Sequence, residues 1–554
     1  MNGLGGAGAL ARGTLWVGHW VGRPSPASGS GTMPLHEAGS FKDKMTSVSR
    51  WILIYSASLL CAAPPPNASC ERLAFLHLPE TTITLAQSVP AGALTLPPSA
   101  MRRGDTDALK ELPAFCRVTA TLKPSSDSDI KVEVWMPASG WNGRFLGVGN
   151  GGWAGRISYE SLSAALRDGF ATAGTDTGHQ GNGNDARFAM GHPEKLIDFG
   201  FRAVHEMTVR AKAIIESFYS EGPKFSYWNG CSTGGKQGLT EAQRFPADYN
   251  GIVEGDPANM FTHLMFGTIW PAEVTLKDSA SYIPPDKYPL IHRAVLDACD
   301  ALDGVKDGLI EDPTRCHFDP KVLECKGPDG PGCLTGLQVE SARKIYAGPR
   351  NPRTGEQIFP GQAPGSELGW TGQAGGPKPM EIPFSYFRYL LFQNPEWDFR
   401  TLNFDSDVAR ADRLHGSILD AADPNLKAFE AHGGKLIMYH GWSDPVIVPL
   451  VSVNYYNSVV AGMGGADKTE IFVRLFMVPG MGHCGNGTGP NTFDKVGVIE
   501  QWVEHGKAPD EIIASHGSQG AGRMTRPLCP YPKVARWKGS GSTMDAANFA
   551  CVSN

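Results

Sequence analysis

The chain has 554 residues, 41% hydrophobic and 19% charged, with a formal net charge of -6. This length predicts two domains, or one large core carrying an insertion. The composition is that of a globular protein, and an acidic chain without a long basic run excludes an electrostatic nucleic-acid binder.

Residues 1–44 are rich in Gly, Ser and Pro without apolar periodicity, and read as disordered or as an extension upstream of the true start. Residues 45–63 have the layout of a secretory signal: Arg50, then the apolar run 51–63 ending in small residues. That run is too short to span a bilayer, so the mature chain is expected free of membrane, secreted or periplasmic. Without Cys61, ten cysteines remain (Cys70, Cys116, Cys231, Cys299, Cys316, Cys325, Cys333, Cys484, Cys529 and Cys551), an even set suited to disulfides in an oxidising compartment. Their connectivity is open from sequence.

From residue 64 strand and helix patterns begin to alternate. Residues 130–136 alternate as a half-buried strand does, 145–148 and 170–174 are short apolar strands, and helical patterns follow over 199–204 and 207–216. A strand at 225–228 leads into a helix near 237–244, and 251–255 is a further strand. Strands alternating with helices imply a mostly parallel sheet covered on both faces. The rhythm stops at about 257 and resumes at 435–444, 471–478 and a helix around 496–503. We therefore expect an α/β class fold: an α/β-hydrolase core built from 64–256 and 434–554, with a large lid (cap) domain inserted over 257–433.

The chemistry concentrates at three places. Gly230-Cys231-Ser232-Thr233-Gly234 is G-x-S-x-G, the strand-to-helix turn that presents a serine nucleophile. In α/β-hydrolases the acid and then the histidine follow the serine, and here Asp444 ends an apolar strand and His483 lies in a glycine-rich loop after another. Ser232, Asp444 and His483 are the expected nucleophile, orienting acid and base. Thr233 N–H, next to the nucleophile, and the loop glycines Gly151 and Gly152 are the expected oxyanion donors. Asp176 and His179 precede the serine, the wrong order for this fold, and read as turn residues. Cys231 is a rival nucleophile that an oxidising compartment would pair.

These residues resemble the tannase/feruloyl esterase family of α/β-hydrolases, whose mark is Cys-Ser, a later Asp, and His-Cys: here Cys231-Ser232, Asp444 and His483-Cys484. The resemblance implies a Cys231–Cys484 disulfide and, by order, the pairs Cys70–Cys116, Cys299–Cys316, Cys325–Cys333 and Cys529–Cys551. Asp300, Asp303 and Asp307, with intervening glycines, suit a hard cation that takes several oxygens, although the register is not that of an EF-hand. The resemblance implies a structural Ca2+ there, held also by the carbonyls of Val305 and Leu309. It further implies a serine carboxylesterase acting on a phenolic ester (feruloyl, hydroxycinnamoyl or galloyl), a small molecule or plant cell-wall component. Other aryl esters such as mono(2-hydroxyethyl) terephthalate, or a binding protein on the same scaffold, are the alternatives. The terephthalate-monoester relative has Glu after the nucleophile where this chain has Thr233, which favours phenolic esters. Arg388, in the aromatic stretch 384–397, is a candidate for the substrate's polar substituent.

Overall fold

Short apolar runs set the layout, because each is too continuous to leave one face in water. The computed structural model describes residues 69–96, 109–517 and 522–553; the extension and signal expected over 1–63 lie outside the described residues. Nine strands form the main sheet: β1 (Thr81–Val89), β2 (Phe115–Leu122), β3 (Ile130–Pro137), β4 (Arg144–Val148), β5 (Ala171–Thr175), β6 (Phe225–Cys231), β7 (Gly251–Gly255), β8 (Lys435–Gly441) and β9 (Val473–Val478). Their order is β1-β2-β3-β5-β4-β6-β7-β8-β9. The β1, β2, β3 and β5 neighbours pair antiparallel, and every pair from β5 to β9 is parallel.

Alternate residues of each strand supply the two faces of this sheet. Phe145, Trp228, Ile252 and Leu436 pack beneath helices α2 (Ala203–Tyr219), α3 (Thr233–Arg244) and α5 (Leu450–Met463). Leu146, Tyr227, Val253 and Ile437 face α1 (Tyr159–Arg167) and α6 (Lys495–His505). The fold is therefore an α/β-hydrolase sheet, its six parallel strands carrying their C-termini toward one edge. Between β7 and β8, residues 256–434 add no strand to it; they form helices, among them α4 (Phe261–Thr275), and irregular turns. One part of that segment packs around Tyr288, Ile291 and Trp370, and another joins Trp153 and Phe199 above the sheet.

Two sequence expectations need correction. β3 is buried on both faces rather than half-buried, its Glu133 satisfied by Arg117, the Trp135 indole and the Tyr159 hydroxyl. The helical stretches expected over 199–204 and 207–216 are joined in one run, of which the first turn, Asp198–Arg202, is π-helical and the rest is α2.

Close backbone approach explains the glycines of the serine turn. A Cβ on Gly149 would lie 2.6 Å from Gly234 Cα and 3.0 Å from Gly230 Cα, so three backbones meet where side chains have no room. Gly149→Ala is expected to destabilise the protein by about 1–3 kcal/mol through overpacking. Thermal melting checks this, and an unchanged transition would mean that the three backbones can separate at no cost.

Candidate active site

β6 runs buried until Cys231, and α3 begins at Thr233, leaving Ser232 to turn the chain. Its φ of 64° and ψ of -123° are unfavourable for a residue with a Cβ. The conformation is held by neighbours: Ser232 N–H donates to Gly255 O at 2.9 Å, and Ser232 O accepts from Ala258 N at 3.1 Å and Lys236 N at 3.0 Å. This is the strand–turn–helix context that G-x-S-x-G requires.

Asp444 lies three residues beyond β8 and is fully buried. Its Oδ1 accepts from Val446 N at 2.7 Å and Ile447 N at 3.0 Å, while Oδ2 stands 2.7 Å from His483 Nδ1. His483 occupies the turn between two short strands, Met481–Gly482 and Gly485–Gly487. Burial disfavours its charged form, but the Asp444 carboxylate outweighs that and pushes the imidazole up to about 9. The same pair holds Asp444 below the ordinary carboxylate range against its own burial.

The disulfide between Cys231 and Cys484, with Cα atoms 5.9 Å apart, joins the residue before Ser232 to the residue after His483, across 253 positions of sequence. Cys231 is thereby paired and unavailable as a thiolate. The other four bonds are Cys70–Cys116, Cys299–Cys316, Cys325–Cys333 and Cys529–Cys551.

Ser232 and His483 open onto one cavity of about 520 Å³, which Gly151 and Gly152 also line. Thr233 sits at the start of α3, where backbone N–H groups lack helical partners, and its hydroxyl donates to Gly152 O at 2.7 Å. The rest of the wall is mixed: Ile157, Tyr159, Met380, Ile382 and Val446 beside Arg156, Glu160, Asn182 and Asn184. None of these carries a motif, so sequence spacing gave no signal for them.

Arg388 is not among the lining residues. Its Nε donates to Pro395 O, and its guanidinium lies over Phe384 and Tyr389. Neighbouring Phe387, Tyr389 and Trp397 are buried in the packing above the sheet, so this aromatic stretch is core rather than cavity wall. Asp176 and His179 are buried structural residues: Asp176 Oδ1 accepts from Lys131 and Gly178 N–H, and His179 stacks on Phe188 at 3.5 Å.

The acidic loop is built from self-contained turns. Asp300 accepts from the N–H groups of Asp307 and Gly308, Asp303 from Val305 and Asp307 from Leu309. The second Asp307 oxygen meets the buried guanidinium of Arg526. Asp303 Oδ2 is buried without a hydrogen-bond partner, and burial, with Asp307 and Asp300 nearby, pushes that carboxyl up to about 6.

A group overlooked in the sequence lies beside the serine turn. Asp256, the residue after β7, is fully buried, and its carboxylate, that of Asp444 and the His483 ring present atoms within 4.8 Å of one another. An acid just past the end of a buried strand, as Asp444 also is, was the available signal.

Sheet, elbow serine and the His483–Asp444 pair define an α/β-hydrolase. The tannase and feruloyl esterase family model matches residues 116–552. An uncharacterized esterase of Xanthomonas campestris pv. campestris is 40% identical over 534 residues, 88% of this chain and 91% of the relative. A Neosartorya fischeri protein named "Probable feruloyl esterase B-2" is 33% identical over 533 residues, 92% of this chain and 100% of the relative. The crystal structure of feruloyl esterase B from Aspergillus oryzae superposes with a TM-score of 0.82 at 32% identity, covering 88% of this chain and 100% of that one. Tannin acyl hydrolase from Aspergillus niger shares the fold, with a TM-score of 0.71 at 24% identity over 86% of this chain and 92% of that one. The chain belongs to the tannase and feruloyl esterase family, and is a carboxylic ester hydrolase.

Replacing Cys231 and Cys484 together with Ser is expected to lower kcat at least about tenfold by loosening the serine–histidine geometry, while removing a loop constraint of about 5 kcal/mol from the unfolded chain. Steady-state kinetics and thermal melting read the two effects separately. Unchanged turnover would show that the bond has no catalytic importance.

Proposed function

We propose that this esterase is exported and cleaves phenolic esters, feruloyl or related hydroxycinnamoyl or galloyl, through Ser232, His483 and Asp444. The observation that carries the reading is that the elbow serine and the Asp444-bonded imidazole open onto the same cavity. Ser232 Oγ attacks the ester carbonyl while His483 takes its proton, and the tetrahedral oxyanion is met by Thr233 N–H and by the backbone at Gly151 and Gly152. His483 returns the proton to the leaving alcohol; water then enters by the same route, and the carboxylic acid leaves. Asp444 holds the ring through Nδ1 and stabilises the imidazolium. Tyr159, Met380, Ile382 and Val446 offer an apolar wall for an aryl ring, and Arg156, Asn182 and Asn184 offer partners for its hydroxyl groups.

Export is supported by the pairing of all ten cysteines among the described residues. None of the described helices is long and apolar enough to cross a membrane.

A calcium ion at the Asp300–Asp303–Asp307 loop is supported by the unpartnered, buried Asp303 oxygen and by the all-oxygen donor set. With Val305 and Leu309 carbonyls completing the set, the ion would supply structural bracing and no chemistry. The melting temperature is expected to fall on treatment with a chelator and to recover with CaCl2, and Asp303→Asn is expected to abolish the recovery. No response of the wild type would rule out the site.

Ser232→Ala is expected to cut turnover of methyl ferulate and methyl gallate by at least about 10⁴-fold; residual activity equal to wild type would sink the triad. The wild-type kcat/KM should climb with pH toward about 9, because the free base needs a neutral His483 and that imidazole is held up by Asp444. Asp444→Asn removes the supporting charge, so this acidic limb should move to lower pH while kcat falls by about 10⁴-fold. A limb that stays in place would assign it to another group.

A further inference from the structure

A second carboxylate stands behind the triad. Asp256 continues β7 with φ 38°, a left-handed conformation that a residue with a Cβ adopts only when its surroundings impose it. Its own N–H donates to Tyr439 O at 2.9 Å, in register with β8. Both side-chain oxygens are used: Oδ1 accepts from Gly441 N at 2.8 Å, and Oδ2 accepts from Cys484 N. Oδ2 also lies 3.5 Å from Cys231 Sγ, so one carboxylate touches the end of β8, the residue after His483 and the disulfide beside Ser232.

Between the two acids lies His440. Its Nε2 is 3.7 Å from Asp256 Oδ1 and 3.4 Å from Asp444 Oδ2, and it is fully buried, with Nδ1 2.7 Å from Ser452 Oγ and Nε2 2.8 Å from Ile447 O. An imidazole with an acceptor at each nitrogen can hold both protons, and that positive charge would let two buried carboxylates coexist.

We propose that Asp256 is a second acidic positioning residue for His483: it fixes the histidine loop through the Cys484 and Gly441 peptides and adds its charge to that of Asp444 behind the ring. The inference rests on the triad reading above. The distance makes the charge effective, since Asp256, Asp444 and His483 present atoms within 4.8 Å of one another in a site with little water to screen them. The titratable groups facing Asp256 are Glu254 on its own strand, Tyr439 and His440 on β8, Asp444 and His483 beyond it, and Lys495 on α6. Asp256 itself is raised above the ordinary carboxylate range by burial and by Asp444, against the pull of His440 and His483. The two backbone N–H donors, one on each oxygen, favour the ionised form.

The test compares kcat/KM against pH for p-nitrophenyl acetate in wild type, Asp256→Asn, Asp444→Asn and Ser232→Ala. Asn keeps the size and one acceptor of Asp256 and removes the charge. Loss of a carboxylate behind the ring makes imidazolium less stable, so the acidic limb should fall by about one pH unit, with kcat lowered by about tenfold; Asp444→Asn should lose far more turnover. A purely structural role would lower kcat and leave the limb where it was, and either that result or a wild-type profile would overturn the proposal. Should Asp256→Asn fail to melt cooperatively, Asp256→Ser carries the same comparison. Ser232→Ala with wild-type turnover would overturn the triad and this inference together, whereas an inactive Ser232→Ala beside an unshifted Asp256→Asn overturns this inference alone.

Discussion

Everything at this site depends on the bond between Cys231 and Cys484. It joins Cys484, which sits in the left-handed region at 58°, to Cys231, whose neighbour Ser232 has a positive φ of 64°. Strain of about 1–3 kcal/mol for each such residue persists only if the surroundings fix it. A covalent tether between the neighbours of Ser232 and His483 adds to the backbone hydrogen bonds that hold the Ser232 turn, and it gives the oxidisable side chain directly before Ser232 a structural role. The bond also spans the strand order: β6, which delivers Ser232, is separated by β7 and β8 from β9, which delivers His483. The tether crosses at the C-terminal ends, where a parallel sheet leaves its crevice.

Charge is managed by the same strand ends. Asp444 would be costly as an isolated buried anion, yet it accepts two backbone N–H groups and faces two imidazoles. Asp256 has an equivalent arrangement one strand earlier. Beyond each of β7 and β8 there thus stands a buried carboxylate bound to peptide groups, Asp256 by Gly441 and Cys484, and Asp444 by Val446 and Ile447 of its own loop. Loop position and proton affinity are therefore set by common contacts, and a change in one entails a change in the other.

Much of this was legible in the sequence. The runs at 145–148, 251–255 and 435–441 were legible as strands because a strand buried on both faces is apolar along most of its length. The strand-to-helix turn at Ser232 and the contact between Asp444 and His483 were legible because order along the chain is itself a constraint of the fold. β1 was not, since its burial is mixed at an exposed edge, and the π-helical turn before α2 leaves no trace in an apolar pattern read at helical spacing. Arg388 misled for a physical reason: an aromatic stretch that packs a core and one that walls a cavity share a composition, and only the fold places Met380 and Ile382 at the cavity and Phe387 and Trp397 away from it. Asp256 stands just beyond a strand and between Ser232 and His483 in the chain, as Asp444 does, but a motif with one acid left it no role.

The acidic loop is tied to the same centre through packing. Leu309, whose carbonyl belongs to the expected cation set, lies against Gly480, three residues before His483; a Cβ on that glycine would come within 2.5 Å of the leucine side chain. Gly480 has φ 67° and its carbonyl accepts from Thr488 and Gly489 N–H, so the base of the histidine loop is closed by backbone alone and has no side chain of its own to brace it. Leu309 supplies that brace from another part of the chain. Its position depends on Asp307, which accepts the Leu309 N–H and is held in turn by the buried Arg526 guanidinium from the C-terminal segment. The acidic loop and the histidine loop thus meet at the Leu309–Gly480 contact. The histidine loop is therefore held on two sides, by a disulfide at Cys484 and by a leucine at Gly480, with His483 between them.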